Sequence, residues 1–167
     1  MKASSPVELP KICQWLETAA AEVVETMFGC MAYAEGAPDL NEWQGDLVQS
    51  EIAFSGDFAL QMRVWMGEEC ATVLASRVLQ MPKQEMTDAV VDDTIGEVSN
   101  MILGAVKSKV VDRGYSCGLS IPAISRCRSV AGFGVAPEKE RFLWFRFGNG
   151  RLLLCVAMPN LGEAKGG

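Results

Sequence analysis

The sequence predicts an α+β domain: a mostly antiparallel sheet with two long helices and a shorter helix packed on it. Three observations carry that expectation. Two segments, one near the N-terminus and one in the middle, repeat apolar residues at helical spacing over several turns. Two others alternate apolar and polar residues on both sides of a glycine-containing turn, the mark of a hairpin. Helices and strands also come in groups rather than in strict alternation, so tight turns make most strand pairs antiparallel.

At 167 residues the chain is expected to form a single domain with a real core. Residues 1–9 read as a flexible lead-in, 10–160 as the domain and 161–167 as a flexible tail. From Leu9, the segment LPKICQWLETAAAEVVETMFG sets Ile12, Leu16, Ala19, Val23 and Met27 at helical spacing, and Gly29 ends it. EGAPDLNEWQGD is turn-rich and reads as a loop. LVQSEIAFSGDFALQMRVWMG reads as two strands joined at Gly56-Asp57. EECATVLASRVLQM is the shorter helix, stopped by Pro82. Residues 85–113 form the second long helix, closed by Gly114. YSCGLSIP is a short strand broken at Pro122, and AISRCRSVAGFG is another. ERFLWFRFGNGRLLLCVAM is the clearest hairpin, with Gly-Asn-Gly between two β-rich runs.

Composition narrows the chemistry. A net charge of -6 argues against nucleic-acid binding, which needs a basic footprint. The basic residues Lys107, Lys109, Arg113, Arg126 and Arg128 read as a solvated helix end followed by a strand edge. With no histidine, Ser-His-Asp and Cys-His catalysis and most zinc hydrolase sites drop out. The six cysteines show no CxxC and no secretory leader precedes them, so they read as reduced, mostly buried residues of a cytoplasmic protein. No metal site and no cofactor is expected in this chain, and no apolar run is long enough for membrane insertion.

The segment DTIGEVSNMILG on the second long helix stands out. At 100° per residue, Val91, Ile95, Val98, Ile102, Ala105 and Val106 cluster within about 80° of Ile95 as the buried stripe. Asp93, Glu97, Asn100 and Gly104 fall at about 140° to 200°, facing away from the core. Glu97 and Asn100, at i and i+3, are close enough to engage one object together. A helical glycine costs roughly 1 kcal/mol against alanine, and at Gly104 no core packing asks for it. Gly96 has the plainer reading of a tight helix contact. Glu-x-x-N by itself is a weak pattern that exposed helices carry by chance.

The wider pattern is more specific. D-x-x-x-E-x-x-N-x-x-x-G, here Asp93, Glu97, Asn100 and Gly104, resembles the core motif of the CheX phosphatases of bacterial chemotaxis, within the CheC/CheX/FliY group. EVVETMFG, IAFSGDF and LSIPAI, with its Ser-x-Pro ending, match in the same order over roughly residues 10–160. CheC-type members carry a second Glu/Asn pair on the first helix. Here Glu22 and Glu25 lack an Asn at i+3, which favours CheX.

The resemblance implies a CheC-like fold and a phosphatase acting on the aspartyl phosphate of a CheY-like receiver domain, which brings its own Mg2+. It implies Glu97 and Asn100 as the catalytic pair and Asp93 and Gly104 as partner-binding positions. An amide can hold a water in a fixed orientation without ionising, so Asn100 would orient the attacking water. Glu97 would engage the receiver's active-site lysine; general base is its second reading, less needed in a loose phosphoryl-transfer transition state. Asp93 would touch the partner or favour the helix macrodipole. The resemblance further implies a homodimer formed by pairing sheet edges. The alternative is a non-catalytic module of the same fold that binds a receiver or a flagellar-switch component.

Overall fold

The computed structural model describes residues 6–159. The expected tail at 161–167 and the first five residues of the lead-in lie outside the described residues. Within the described part of the lead-in, Val7 is buried against the core. Helix α1 then runs Leu9–Phe28 and closes as the glycine signal predicts. Gly29 adopts φ 65°, and its N–H donates to the Glu25 carbonyl at 3.0 Å.

Strand β1, Ala32–Ala34, follows, then β2, Gln44–Gly56, and β3, Leu60–Gly67. Helix α2 spans Glu68–Leu79 and α3 spans Asp88–Val111. Four more strands follow among the described residues: β4 Cys117–Leu119, β5 Ala123–Ser129, β6 Glu140–Phe147 and β7 Gly150–Ala157. Helix α3 starts later than periodicity suggests because Thr87 caps it, its hydroxyl accepting from the Val90 N–H. The expected loop also ends early. β2 begins at Gln44, Asp39 caps a short 3-10 turn ahead of it, and Trp43 is buried.

All strand pairs are antiparallel, in the order β1-β6-β7-β3-β2. Both β4 and β5 pair with the outer edge of β2, β4 at residues 54–56 and β5 mainly at 47–51. The fold class is therefore as the sequence predicts: three helices on an antiparallel sheet. Period-two alternation puts Leu60, Met62, Val64 and Met66 of β3 under the helices, with Leu152, Leu154 and Val156 of β7. Trp65, Leu153 and Cys155 point to the other face, where they meet Trp43 and Leu47 in a second, smaller core. Thus β7 is apolar on both faces from Leu152 onward because both faces are covered, while β3 sets Gln61 and Arg63 beside Trp65 on its second face.

Where β2 changes partner on its outer edge, Ala53 faces neither β4 nor β5, although Gln61 of β3 pairs with it on the other side. Ser120 fills the gap: the Ala53 N–H donates to Ser120 Oγ at 3.0 Å, and the Ser120 N–H donates to the Ala53 carbonyl at 2.9 Å. One turn further along the hairpin, the Asp57 N–H donates to the Ser116 carbonyl at 2.8 Å. Asp57 Oδ2 in turn accepts from the Ser116 N–H at 3.0 Å. Gly56 at φ 120° makes this approach possible, since a Cβ there would lie 2.6 Å from the Ser116 carbonyl oxygen. These bonds fix the β4–β5 segment beside α3.

Candidate functional site on helix α3

Helix α3 packs on α1, on α2 and on the sheet, so its buried arc is wider than the predicted stripe. Val91, Ile95, Val98, Ile102 and Val106 are buried as expected, joined by Thr94, Ser99, Leu103 and Val110. The two buried hydroxyls bond back to their own helix, Thr94 to the Val90 carbonyl at 3.0 Å and Ser99 to Ile95 at 3.1 Å. Ala105 departs from the expectation. It is exposed and lines a hollow with Glu22, Val23 and Thr26 of α1.

Asp93, Glu97 and Asn100 are exposed, and Gly104 is half-buried. Among the described residues, no hydrogen bond or ion pair engages the side chains of Asp93, Glu97 or Asn100. Gly96 is buried, yet a Cβ there would meet Pro122 and Ile124 at an ordinary 3.7 Å, so the glycine is not forced by a clash. At Gly104 a Cβ would meet nothing within 4 Å, so none of the described residues requires that glycine. Asp93 sits beyond the first turn of α3, where the macrodipole has faded.

The row is a ridge between two hollows. On one side Asp93, Glu97 and Asn100 face Ile121 and Pro122. On the other, Asn100 and Gly104 face Glu22 and Thr26 of α1. Asn100 belongs to both. A protein loop fitting over this ridge would meet a carboxylate and an amide side by side on a helix fixed by its buried arc.

The walls of the first hollow are tied together by Arg126 of β5. Its guanidinium donates to Asp92 Oδ1 at 2.5 Å and Glu68 Oε1 at 3.3 Å, with Asp88 3.8 Å away. Partial burial alone would lower the Arg126 pKa, but the Asp92 and Glu68 carboxylates outweigh it and the net shift is upward. Arg128 pairs with Asp46 at 2.7 Å. These two arginines are therefore partners of local acids, in line with the plain reading of the basic segment.

Sequence reasoning missed three contributors. The sequence places Ile121 in a strand ending, yet it is 90% exposed. Arg126 acts across 34 residues to Asp92 and 58 to Glu68, a separation that periodicity does not register. Glu22, in sequence only half of an incomplete second pair, lines the hollow with Asn100 and Gly104. The signal available for Ile121 was Ser-Ile-Pro, where a proline stops the ladder and frees the preceding side chain from the sheet pattern.

The cysteines are free, Cys155 buried and the other five half-buried. Burial pushes the thiols of Cys13, Cys70, Cys117, Cys127 and Cys155 upward, away from the reactive thiolate. Among the described residues, no group of three or more Cys, Asp or Glu is placed to hold a metal ion. No described helix is long and apolar enough to cross a membrane.

Three helices on an antiparallel sheet define the CheC-like fold class, and solved structures share it. Chemotaxis protein CheX from Vibrio vulnificus is 16% identical, with TM-score 0.70 over 89% of this chain and 97% of that one. The CheX–CheY–BeF3–Mg2+ complex from Borrelia burgdorferi gives 18% identity, TM-score 0.67, and 89% and 98% coverage. FliY from Thermotoga maritima gives 14% identity, TM-score 0.63, and 98% and 96% coverage. The family described as "Chemotaxis phosphatase CheX" matches residues 48–131, just over half of the chain and the whole of the ridge. The chain belongs to the CheX family. No curated protein sequence matches it significantly.

Proposed function

We propose that this protein docks on the phosphorylated receiver domain of a CheY-like response regulator and accelerates hydrolysis of its aspartyl phosphate. One observation carries the proposal: within the family-matched segment, Glu97 and Asn100 stand exposed, with no partner among the described residues, on a helix fixed by its buried arc. The relative from Borrelia burgdorferi, seen in complex with CheY, supports a receiver as the partner.

The chemistry asks little of the phosphatase. An acyl phosphate already tends to hydrolyse, and Mg2+ in the receiver would neutralise charge on the phosphoryl oxygens. What remains is to place a water in line. The Asn100 amide has both an acceptor oxygen and donor hydrogens for that task, on a backbone position held by the buried arc of α3. Glu97, one turn away, would engage the receiver's active-site lysine and fix the register. Asp93 would extend the acidic contact, and the space over Gly104 would admit a receiver loop. A homodimer formed by pairing sheet edges, and a cytoplasmic location, belong to the same proposal.

Phosphate release from a panel of phosphorylated receivers of the source organism tests it. At least one receiver should lose phosphate faster, and Glu97→Ala and Asn100→Ala should each abolish the gain while unfolding normally. No acceleration of any receiver would refute the proposal.

A further inference from the structure

We infer that Ile121 is an apolar docking anchor for the receiver domain, setting affinity while Glu97 holds the receiver's lysine and Asn100 places the attacking water. The inference rests on the proposed function and adds a residue which that reading does not contain.

Singly exposed apolar side chains are common on proteins and need no explanation. Ile121 differs in three respects. At 90% exposed it exceeds every other exposed large apolar residue among those described, Met31 at 62% being next. It is also held rather than loose. Ser120 before it makes two hydrogen bonds to Ala53, and Pro122 after it packs toward Gly96 of α3. Finally, it lines the same hollow as Glu97 and Asn100.

Rigidity matters because an anchor that is ordered before binding loses little entropy on burial. Charge points to the occupant. Arg126 pairs with Asp92, while Asp93 and Glu97 keep no ion partner among the described residues. The surface therefore fits a partner that presents a cation beside an apolar patch. A receiver offering its lysine to Glu97 would bring the adjoining surface onto Ile121. A second copy of this chain seated on Ile121 would cover the Glu/Asn ridge and close the site.

The test compares the native protein with Ile121→Ala and Ile121→Met. Receivers charged with acetyl phosphate report turnover, and receivers charged with beryllium fluoride report binding. For the receiver that responds, Ile121→Ala should raise KM and Kd about 10- to 50-fold, leave kcat within about twofold and leave the melting temperature unchanged. Ile121→Met, which keeps an apolar side chain of similar size, should stay within about threefold of native. Unchanged Kd in Ile121→Ala overturns the anchor, as does a fall in melting temperature or a change in self-association alone. If Ile121→Ala loses binding but the native protein never accelerates hydrolysis, the anchor stands and the catalytic reading falls. If no receiver binds, both fall.

Discussion

Replacing Gly104 should move stability and activity in opposite directions. Glycine inside a helix is about 1 kcal/mol less favourable than alanine, from backbone entropy alone. Usually a clash or a lost close contact offsets part of that gain. Here the added Cβ meets nothing within 4 Å, so neither correction applies. Gly104→Ala should therefore stabilise the protein by about 0.5–1 kcal/mol, raising the melting temperature by roughly 2–4 °C for a domain of this size. The same open space is where a receiver loop would approach. A longer side chain should obstruct it, so Gly104→Gln should lower kcat/KM for phosphate release about tenfold while the fold stays intact. Thermal unfolding and phosphate release on the same samples give both readings. Destabilisation by Gly104→Ala would refute the helix argument. Full activity in a well-folded Gly104→Gln protein would refute the clearance role.

Other perturbations read other parts of the structure. Gly56→Ala forces φ 120° on an L-residue and sets its Cβ 2.6 Å from the Ser116 carbonyl oxygen, so urea denaturation should show a loss of about 2–4 kcal/mol. Arg126→Gln removes the pairs to Asp92 and Glu68 at a partly exposed site. Its cost should be about 1 kcal/mol in low salt and should shrink near 1 M NaCl, as paired denaturation curves would show. At neutral pH the fold keeps the thiols of Cys13, Cys70, Cys117, Cys127 and Cys155 protonated, so iodoacetamide should label these five more slowly than in the unfolded chain, Cys155 slowest of all. Because folding raises these thiol pKa values, the unfolded chain ionises first as pH rises. Stability should hold below the ordinary thiol range and decline above about pH 8.5, measurable by denaturation across pH.

Most of the scaffold was legible because it rests on local periodicity. The Gly29 stop, both hairpins and the outward turn of Asp93, Glu97 and Asn100 follow from spacing within one element. What escaped depends on partners far away in the chain. β1 is three residues long and exists only because Ala32–Ala34 meets Phe145–Phe147. Trp43 read as a loop residue because nothing near it announces the second core formed with Trp65 and Leu153. Ala105 matched the helical stripe, but burial there needs a neighbour on α1 that the chain does not supply. Ile121 is the instructive case. An isoleucine in an apolar stretch implies a core position; Ser-Ile-Pro hints otherwise, and the Ser120–Ala53 bonds and the position of Pro122 accompany the outward side chain.

The central claim is that Asn100 places the attacking water while the rest of the ridge docks the partner. It is tested most directly by single-turnover decay of a responding receiver's aspartyl phosphate, with native protein or Asn100→Ala present in saturating amounts. Saturation removes differences in affinity, so only the chemical step is read. The account predicts that Asn100→Ala still binds the receiver but decays the phosphate at least about 100-fold more slowly than native, close to the receiver alone. A rate within about twofold of native, with the receiver fully bound, would contradict it.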